Sequence, residues 1–210
     1  MILISEDVWG APFEELSKRR SIHQDTDLWQ DASKLKESVK EAQVLVVRNR
    51  TKVTADVIAA APKLKVIARA GVGLDNIDLV AADSAGVIVV AGLGANAISV
   101  AEMTLGLALA LSRDIAAQDQ ITKSGNWNRT PGVEITGKTW GLLGCGATGR
   151  ATANLLKGFN CEVLGFDPFF QGNAEIQMVT WDEVVSKSDF ISVHMPATSQ
   201  TIGSVNQEFF

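Results

Sequence analysis

The chain has 210 residues, of which 46% are hydrophobic and 20% are charged, and its formal net charge is −5. This composition is typical of a globular protein and excludes disordered, collagen-like and low-complexity chains, which have fewer apolar residues or far more Gly and Pro. Because the net charge is negative, no basic surface for nucleic acid or for an acidic membrane is expected.

The N-terminus and the cysteines favour a reducing, cytoplasmic location. Residues 1–7, Met-Ile-Leu-Ile-Ser-Glu-Asp, lack the basic start and the apolar stretch of roughly 7 to 15 residues that a signal peptide requires. Cys145 and Cys161 form no CxxC pair and match no zinc spacing. Neither a disulfide framework nor a metal site is therefore expected.

Short apolar runs alternate with longer segments of helical character, which predicts an α/β protein with a mostly parallel sheet. Strands are predicted at residues 2–4, 44–47, 65–68, 87–90, 140–143, 162–166 and 190–194. Helices are predicted at residues 12–19, 54–61, 76–85, 96–113, 148–157 and 181–186. The most apolar run, residues 97–112, contains Glu102 and Thr104 and is shorter than the about 20 residues of a membrane span, so it is interpreted as a buried helix.

The composition changes most clearly at residues 124–132, Ser-Gly-Asn-Trp-Asn-Arg-Thr-Pro-Gly. This concentration of Gly, Asn and Pro indicates a surface loop that leads into a second α/β unit. About four strands are predicted before the loop and three after it. We therefore predict two unequal α/β lobes joined by a long helix.

A glycine motif follows the strand predicted at residues 140–143. Gly144, Gly146 and Gly149 form G-x-G-x-x-G immediately before a helical segment. In dinucleotide-binding folds these glycines allow a tight turn, a close approach of the backbone to pyrophosphate, and close packing of helix on strand. The pyrophosphate then lies at the helix N-terminus, where free N–H groups and the helix dipole favour anions. Taken alone, the motif is also compatible with an ordinary glycine turn.

Asp167 is the acidic partner that such a motif requires. It follows the strand predicted at residues 162–166 and lies 18 residues after Gly149. A carboxylate here can accept hydrogen bonds from ribose hydroxyls and would repel a 2′-phosphate, which favours NAD over NADP. The alternatives are an ordinary turn residue before Pro168, and a methyltransferase, which also combines a glycine turn with a following acid.

A second candidate anion site begins at Arg69. Residues 68–78, Ala-Arg-Ala-Gly-Val-Gly-Leu-Asp-Asn-Ile-Asp, lie at a predicted strand end and open a helix. The backbone amides around Gly71, Val72 and Gly73 can form a concave anion-binding nest beside Arg69.

Together these motifs resemble those of the D-2-hydroxyacid dehydrogenase family, most closely its phosphoglycerate dehydrogenase branch. Gly-Ala-Asn-Ala-Ile-Ser-Val-Ala-Glu-Met-Thr at residues 94–104 and Ser-Val-His-Met-Pro-Ala-Thr at residues 192–198 complete the set. The resemblance runs from about Val47 to the last residue. It implies a flavodoxin-like substrate lobe, here residues 1–97, followed by the first half of a Rossmann NAD-binding domain, here residues 98–210.

The resemblance also implies an activity and a set of ligands. The activity is NAD-dependent oxidation of a small 2-hydroxy acid, with 3-phosphoglycerate as the expected substrate, which would belong to serine biosynthesis; a homodimer is also implied. The expected cofactor-binding residues are Gly144, Gly146, Ala147, Thr148, Gly149, Asp167, His194, Met195 and Pro196. The expected substrate-binding residues are Arg48, Arg69, Gly71, Val72, Gly73 and Asn96. The two arginines can alternatively be solvated surface charges, and Asn96 a helix cap.

No catalytic residue is expected in the chain. In the family, the H-x-P sequence that contains His194 shapes the cofactor site, whereas a later Arg, Glu and His perform the chemistry. The sequence matches no segment that carries these three residues. We therefore interpret the chain as C-terminally truncated or as a fragment, which binds NAD weakly and shows no turnover.

Two departures from the family pattern leave the branch open. Ala147-Thr148 stands where Arg-Ile is frequent, and Asp83 stands where phosphoglycerate dehydrogenases often have a cofactor-contacting Thr. The alternatives are a hydroxypyruvate or glyoxylate reductase, and a catalytically inactive NAD-binding regulatory or interaction protein like the related C-terminal-binding corepressors.

The expected sheet of the second lobe is incomplete. A full Rossmann sheet has the strand order 3-2-1-4-5-6, in which the strand at residues 140–143 is central. We expect one edge of this strand to be unpaired in the chain. Such an edge favours association, and the chain alone is expected to be marginally stable.

Overall fold

A computed structural model describes residues 1–209 of the chain. Contacts between Cα atoms divide the chain into two units, Met1–Ala95 and Asn96–Phe210. The boundary predicted from the sequence lies two residues later, after residue 97. The last residue of the expected second domain, Phe210, lies outside the described residues. The loop at residues 124–132 lies within the second unit, so it does not mark the division.

The first unit is built on a five-stranded sheet in which every neighbouring pair of strands is parallel. The sheet has the order β2-β1-β3-β4-β5, which is the flavodoxin-like order. The strands are β1 (Ile2–Ile4), β2 (Ile22–Gln24), β3 (Val44–Val47), β4 (Val66–Arg69) and β5 (Ile88–Ala91). The helices are α1 (Ala11–Arg19), α2 (Ala32–Ser38), α3 (Ala55–Ala59) and α4 (Leu79–Ser84).

Both faces of this sheet carry buried side chains, because alternate residues of a strand point to opposite faces. Leu3, Leu45 and Ile67 are aligned across β1, β3 and β4 and form the centre of one core. Ile4 and Val46, each one residue further on, belong to a second core on the opposite face. Burial on both faces explains why the strands appear in the sequence as continuous apolar runs.

The second unit contains a four-stranded parallel sheet of order β8-β7-β6-β9. Its strands are β6 (Thr139–Leu143), β7 (Glu162–Phe166), β8 (Gln177–Met178) and β9 (Phe190–Val193). Its helices are α5 (Ala97–Ser112), α6 (Ile115–Lys123), α7 (Ala147–Leu156) and α8 (Trp181–Lys187). This order corresponds to strands 3-2-1-4 of a Rossmann sheet, which confirms the predicted fold class.

The strand pairing corrects one expectation about this sheet. β9 pairs with β6 over four positions, from Trp140 opposite Phe190 to Leu143 opposite Val193. The central strand β6 therefore has a neighbour on both sides, and the prediction that one of its edges is unpaired is wrong. The outer strands of the sheet are β8 and β9.

The interpretation of α5 as a buried helix is also wrong for one of its faces. Leu105 and Leu109 pack against the core beneath α7, whereas Met103, Leu107 and Leu111 are 63%, 63% and 80% exposed. Apolar residues lie on most sides of the helix, so its sequence does not clearly indicate which side packs. Within residues 1–209, no helix is both long and apolar enough to cross a membrane.

Candidate functional site

The loop between β6 and α7 places its three glycines in different environments. Gly144 has a φ of +99°, and a Cβ there would lie 2.7 Å from the Met195 nitrogen. A Cβ at Gly149 would overlap the Gly144 oxygen, whereas a Cβ at Gly146 would meet no atom within 4 Å. Gly144 and Gly149 are thus required by the packing of the chain itself. Gly146 instead leaves open space through which a ligand can approach the backbone.

The start of α7 has unpaired backbone donors. The first helical hydrogen bond runs from the Arg150 amide to the Gly146 oxygen, at 3.0 Å. The amides of Ala147, Thr148 and Gly149 donate to no acceptor among the described residues, as is usual for the first turn of a helix. These donors and the positive end of the helix dipole favour an anion at this position.

Asp167 follows β7 and is held against the glycine loop. Its Oδ2 accepts a hydrogen bond of 2.8 Å from the Cys145 amide, and its Oδ1 accepts one of 2.8 Å from the Phe169 amide. A carboxylate has about four acceptor positions. The two backbone bonds therefore fix its orientation and leave acceptor positions for a ligand.

A cavity of about 650 Å³ brings most of the predicted cofactor residues together. Of these residues, its walls include Gly144, Gly146, Asp167, His194, Met195 and Pro196. The other three, Ala147, Thr148 and Gly149, do not line it; they lie in the first turn of α7. A largely apolar cavity with a few polar groups at defined positions is typical of small-molecule and cofactor sites.

Nine further residues line this cavity, and the sequence analysis assigned none of them to the site. They are Phe166, Pro168, Phe169, Trp181, Thr198, Ser199, Gln200, Thr201 and Ser204. Phe166, Pro168 and Thr198 belong to motifs that the resemblance uses, and so could have been found. Trp181, Ser199, Gln200, Thr201 and Ser204 have no sequence signal, because the fold alone brings them to the cavity.

His194 is fixed from two sides. Its amide donates to the Leu143 oxygen at 2.7 Å. Its ring Nε2 lies 2.9 Å from Ser192 Oγ and 3.5 Å from Thr152 Oγ1. Burial lowers the pKa of His194 below its usual 6.5, so the ring is neutral at neutral pH.

Cys145 lies within the glycine motif, but its thiol is not a candidate nucleophile. Burial and, to a smaller degree, the charge of Asp167 raise the pKa of the thiol to about 11, against a smaller opposing effect of Arg150. The thiol is therefore protonated at neutral pH, whereas the thiolate is the reactive form.

In the first unit, Arg69 ends β4 with its guanidinium lying over Gly71. A Cβ at Gly71 would overlap Arg69 Nη1, and Arg69 Nε is buried without a hydrogen-bond partner. The Gly71 amide donates to the Arg69 oxygen at 2.9 Å, so it is not the free donor that the sequence suggests. The amides of Val72 and Gly73 donate to no acceptor among the described residues. The buried Nε–H of Arg69 is unpaired, which costs free energy that a bound acceptor would recover.

The loop that carries Arg48 is held by two buried polar side chains. Glu6 accepts hydrogen bonds from the amides of Arg48, Arg50 and Thr51 at 2.7, 3.0 and 3.0 Å. Asn76 Nδ2 donates to the oxygens of Arg48 and Thr51 at 3.0 and 2.8 Å. Burial acts to raise the pKa of Glu6, but the hydrogen bonds from these amides and from the Thr51 hydroxyl together outweigh it, so the pKa lies below its ordinary value.

The side chain of Arg48 is not a freely solvated charge. Its Nη1 donates to the Asp7 oxygen at 3.0 Å, and its guanidinium lies 5.0 Å from the centre of the Trp9 ring. Arg50, which the sequence analysis did not assign, lies 4.9 Å from the Trp29 ring. Both arginines line a recess of about 620 Å³. Its other walls are Glu6, Asp7, Trp9, Thr26, Asp27, Trp29 and Asn49.

Asn96, the remaining predicted substrate residue, lies at the start of the second unit. It occupies the N-cap position of α5, but its side chain makes no capping hydrogen bond. Its exposed side chain is therefore not explained by a capping role.

Comparison with known proteins gives one family. Residues 2–208 match the family model described as D-isomer specific 2-hydroxyacid dehydrogenase, catalytic domain. The D-3-phosphoglycerate dehydrogenase of Mycobacterium leprae is 43% identical over 184 residues, and the match covers 85% of this chain and 35% of that protein. The hydroxypyruvate reductase of Thermotoga maritima is 41% identical over 181 residues, covering 85% of this chain and 59% of that protein.

The fold is shared with a solved dehydrogenase. The D-lactate dehydrogenase of Aquifex aeolicus, complexed with NAD and lactic acid, superposes with a TM-score of 0.89 at 27% sequence identity. The match covers 100% of this chain and 65% of that one. The chain thus spans about a third of the phosphoglycerate dehydrogenase and about two thirds of the solved structure.

Proposed function

The chain belongs to the D-isomer specific 2-hydroxyacid dehydrogenase family, and from this premise we propose that it carries the NAD-binding site and part of the substrate site of an NAD-dependent oxidoreductase. The dinucleotide site lies in the second unit, and the first unit belongs to the substrate side. One observation carries the proposal: Gly146, with its open approach, and Asp167 line the same cavity, and the unpaired amides of α7 directly follow Gly146 in the chain.

The residues present fit a dinucleotide. The amides of Ala147 and Thr148 would hold the pyrophosphate, and the free acceptor positions of Asp167 would hold the ribose hydroxyls. Bonding through N–H groups tolerates the departure from the common Arg-Ile sequence at these two positions.

The surroundings of Asp167 favour NAD over NADP. The carboxylate would repel a 2′-phosphate. The side chain of Arg150 is already engaged, since its Nη1 donates to the Cys145 oxygen at 2.8 Å and its guanidinium lies 5.5 Å from the Phe170 ring centre.

On the substrate side, Arg69 and the amides of Val72 and Gly73 are the candidates for binding a carboxylate. Arg48 is the candidate for a remote anionic group, and 3-phosphoglycerate has both groups. The 43% identity to a phosphoglycerate dehydrogenase supports this choice. A hydroxypyruvate reductase is the second candidate, because the Thermotoga maritima relative is 41% identical.

When bound, the nicotinamide would supply or accept the hydride at C2 of the hydroxy acid. The residues of this chain bind and orient; His194 is neutral and hydrogen-bonded within the cofactor side, so we do not assign it the proton transfer. We expect the 210 residues alone to form no NADH from 3-phosphoglycerate, and NADH absorbance above the blank would contradict this.

A homodimer is a further proposal. Met103, Leu107 and Leu111 follow one another at intervals of four residues, so they form one exposed apolar stripe on α5. Light scattering that gives the mass of a monomer at micromolar concentration would count against a dimer.

Calorimetric titration tests the cofactor assignment. The wild-type chain is expected to bind NADH more tightly than NADPH. In Asp167→Asn, which removes the charge and keeps one acceptor, NADH affinity should fall about tenfold or more, and the preference over NADPH should weaken, because hydrogen bonds to a charged group are among the stronger ones. The control, Asp119→Asn, changes an exposed ion pair on α6. An unchanged preference in Asp167→Asn would show that this carboxylate does not select the cofactor.

A further inference from the structure

A chain of three polar side chains connects the centre of the second sheet to the cofactor cavity. Trp140 on β6 donates from its indole Nε1 to Ser192 Oγ on β9 at 2.8 Å. Ser192 Oγ lies 2.9 Å from His194 Nε2. The indole itself is fixed, because it is almost fully buried and stacks on Phe190 with the ring centres 5.3 Å apart.

The position of the protons in this chain follows from which groups can donate. An indole N–H is a donor only, so Ser192 Oγ accepts from Trp140. The single hydroxyl hydrogen of Ser192 then needs an acceptor, and His194 Nε2 is the only one recorded for it among residues 1–209. The hydroxyl of Thr152 donates to the Thr148 oxygen at 3.0 Å, so towards Nε2 its oxygen could only accept, and the distance of 3.5 Å is long for a hydrogen bond.

A protonated Nε2 would therefore leave the Ser192 hydroxyl hydrogen without an acceptor in the described part of the chain. Buried and partly buried polar groups are usually paired, which favours an unprotonated Nε2. A neutral imidazole carries one N–H, so the proton is on Nδ1. The low pKa that burial gives His194 keeps the ring in this neutral form.

The other ring nitrogen has no hydrogen-bond partner among residues 1–209. Nδ1 of His194 makes no hydrogen bond with residues 1–209, and it is not among the fully buried unpaired side-chain atoms. His194 itself lines the cavity of about 650 Å³. A donor that is not fully buried is therefore present on a residue that lines the proposed dinucleotide site.

We propose that Trp140 and Ser192 are positioning residues that hold His194 as its Nδ1–H tautomer, so that the ring donates a hydrogen bond to an oxygen atom of the bound dinucleotide. The tautomer is a property of the protein alone, and only the second half of the proposal rests on the proposed function. His194 is then a fixed donor in cofactor binding.

Nitrogen-15 NMR of the ring nitrogens, recorded without cofactor, tests the first half. The chain has only two histidines, and His23 is exposed, so it reports an unconstrained ring in the same sample. His194 is expected to show a protonated Nδ1 and an unprotonated Nε2. Ser192→Ala should shift the ring towards the Nε2–H tautomer, whereas Ser192→Thr, which keeps the hydroxyl, should preserve the wild-type spectrum. A wild-type His194 with a protonated Nε2 overturns the proposal.

NADH titration of the same variants tests the second half. Ser192→Ala should weaken NADH binding about two- to tenfold, the range of one hydrogen bond, and Ser192→Thr should restore it. Ser192→Ala leaves the Trp140 N–H unpaired, so the double variant Trp140→Phe/Ser192→Ala, which removes both partners, serves if the single variant does not fold. Unchanged NADH affinity together with a shifted tautomer overturns the donor role. Absence of NADH binding to the wild type instead overturns the proposed function, and the ring spectra remain a test of the tautomer.

Discussion

At the residue scale, buried polar side chains hold the backbone of the loop that carries Arg48, a candidate substrate-binding residue of the first unit. Glu6 and Asn76 bind both the N–H groups and the carbonyls of the loop that carries Arg48. Burying such groups is costly unless they are hydrogen-bonded, and once paired they fix one conformation. The sequence did not reveal this arrangement, because an acid two residues after a short strand has no distinctive pattern.

Glu6→Gln should lower the stability of the protein in a pH-dependent way. The pKa of Glu6 is lower in the folded protein than its ordinary 4.5, so its stabilising contribution is complete above about pH 4.5 and is lost as the pH falls through the lower folded pKa. We expect the variant to lose about 2 kcal/mol of unfolding free energy at neutral pH, as is typical of hydrogen bonds to a charged group.

Urea denaturation at neutral and acidic pH measures this difference. The difference in unfolding free energy between wild type and Glu6→Gln should decrease as the pH is lowered below about 4.5, because the wild-type carboxylate becomes protonated. Glu37→Gln, at an exposed ion pair on α2, is the control and should change stability little. A difference in unfolding free energy that stays constant through the acidic range would show that the charge of Glu6 does not cause the stabilisation.

Arg69→Ala tests the proposed substrate side. The guanidinium has a buried Nε without a partner, so its removal should not break a hydrogen bond of that atom in the free protein. Calorimetric titration with 3-phosphoglycerate should show at least a tenfold loss of affinity, as expected for one charged hydrogen-bonding group. Arg19→Ala, at an exposed ion pair on α1, should bind as the wild type does. Equal affinity in Arg69→Ala would remove this residue from the substrate site.

At the element scale, the segment from β6 to α7, a strand, a loop and a helix, was predicted best from the sequence. Its strand is a continuous apolar run, and its glycines have a spacing that few other structures require. β2 and β8 were missed for physical reasons: β2 has the sequence Ile-His-Gln with a single apolar residue, and β8 has only two residues. α6 was missed because Asp114, with a left-handed φ of 51°, interrupts the helical path after α5.

The glycine loop allows binding and packing to be separated by substitution. Gly146→Ala meets no atom within 4 Å, so we expect an unchanged melting temperature together with a loss of NADH affinity of about tenfold or more, since the Cβ fills the approach to the backbone. Gly149→Ala would overlap the Gly144 oxygen and should lower the melting temperature. Gly158→Ala, which also has open space around it, should change neither quantity. Full NADH affinity in Gly146→Ala would contradict the proposed position of the pyrophosphate.

At the scale of the whole molecule, the order of motifs along the chain predicted two α/β units of the right classes, but it did not predict how their surfaces are covered. Leu105 and Leu107 are equally apolar, yet only Leu105 packs against the core of its unit. Ser199, Gln200, Thr201 and Ser204 line one side of the cavity without any periodic pattern that could have placed them there. Local sequence thus predicted most of the elements and the glycine loop, whereas the partners of α5 and the cavity walls depend on contacts between distant parts of the chain.

In the proposed function, the cavity between the glycine loop, Asp167 and the segment after β9 binds a nicotinamide dinucleotide. The most direct measurement is a titration of the nitrogen-15-labelled chain with NADH, followed by the backbone amide resonances. We predict saturable shifts concentrated at residues 144–149, 167–169 and 194–204, and clearly smaller shifts in Gly146→Ala at the same NADH concentration. No saturable shifts, or shifts confined to the first unit, would contradict the account.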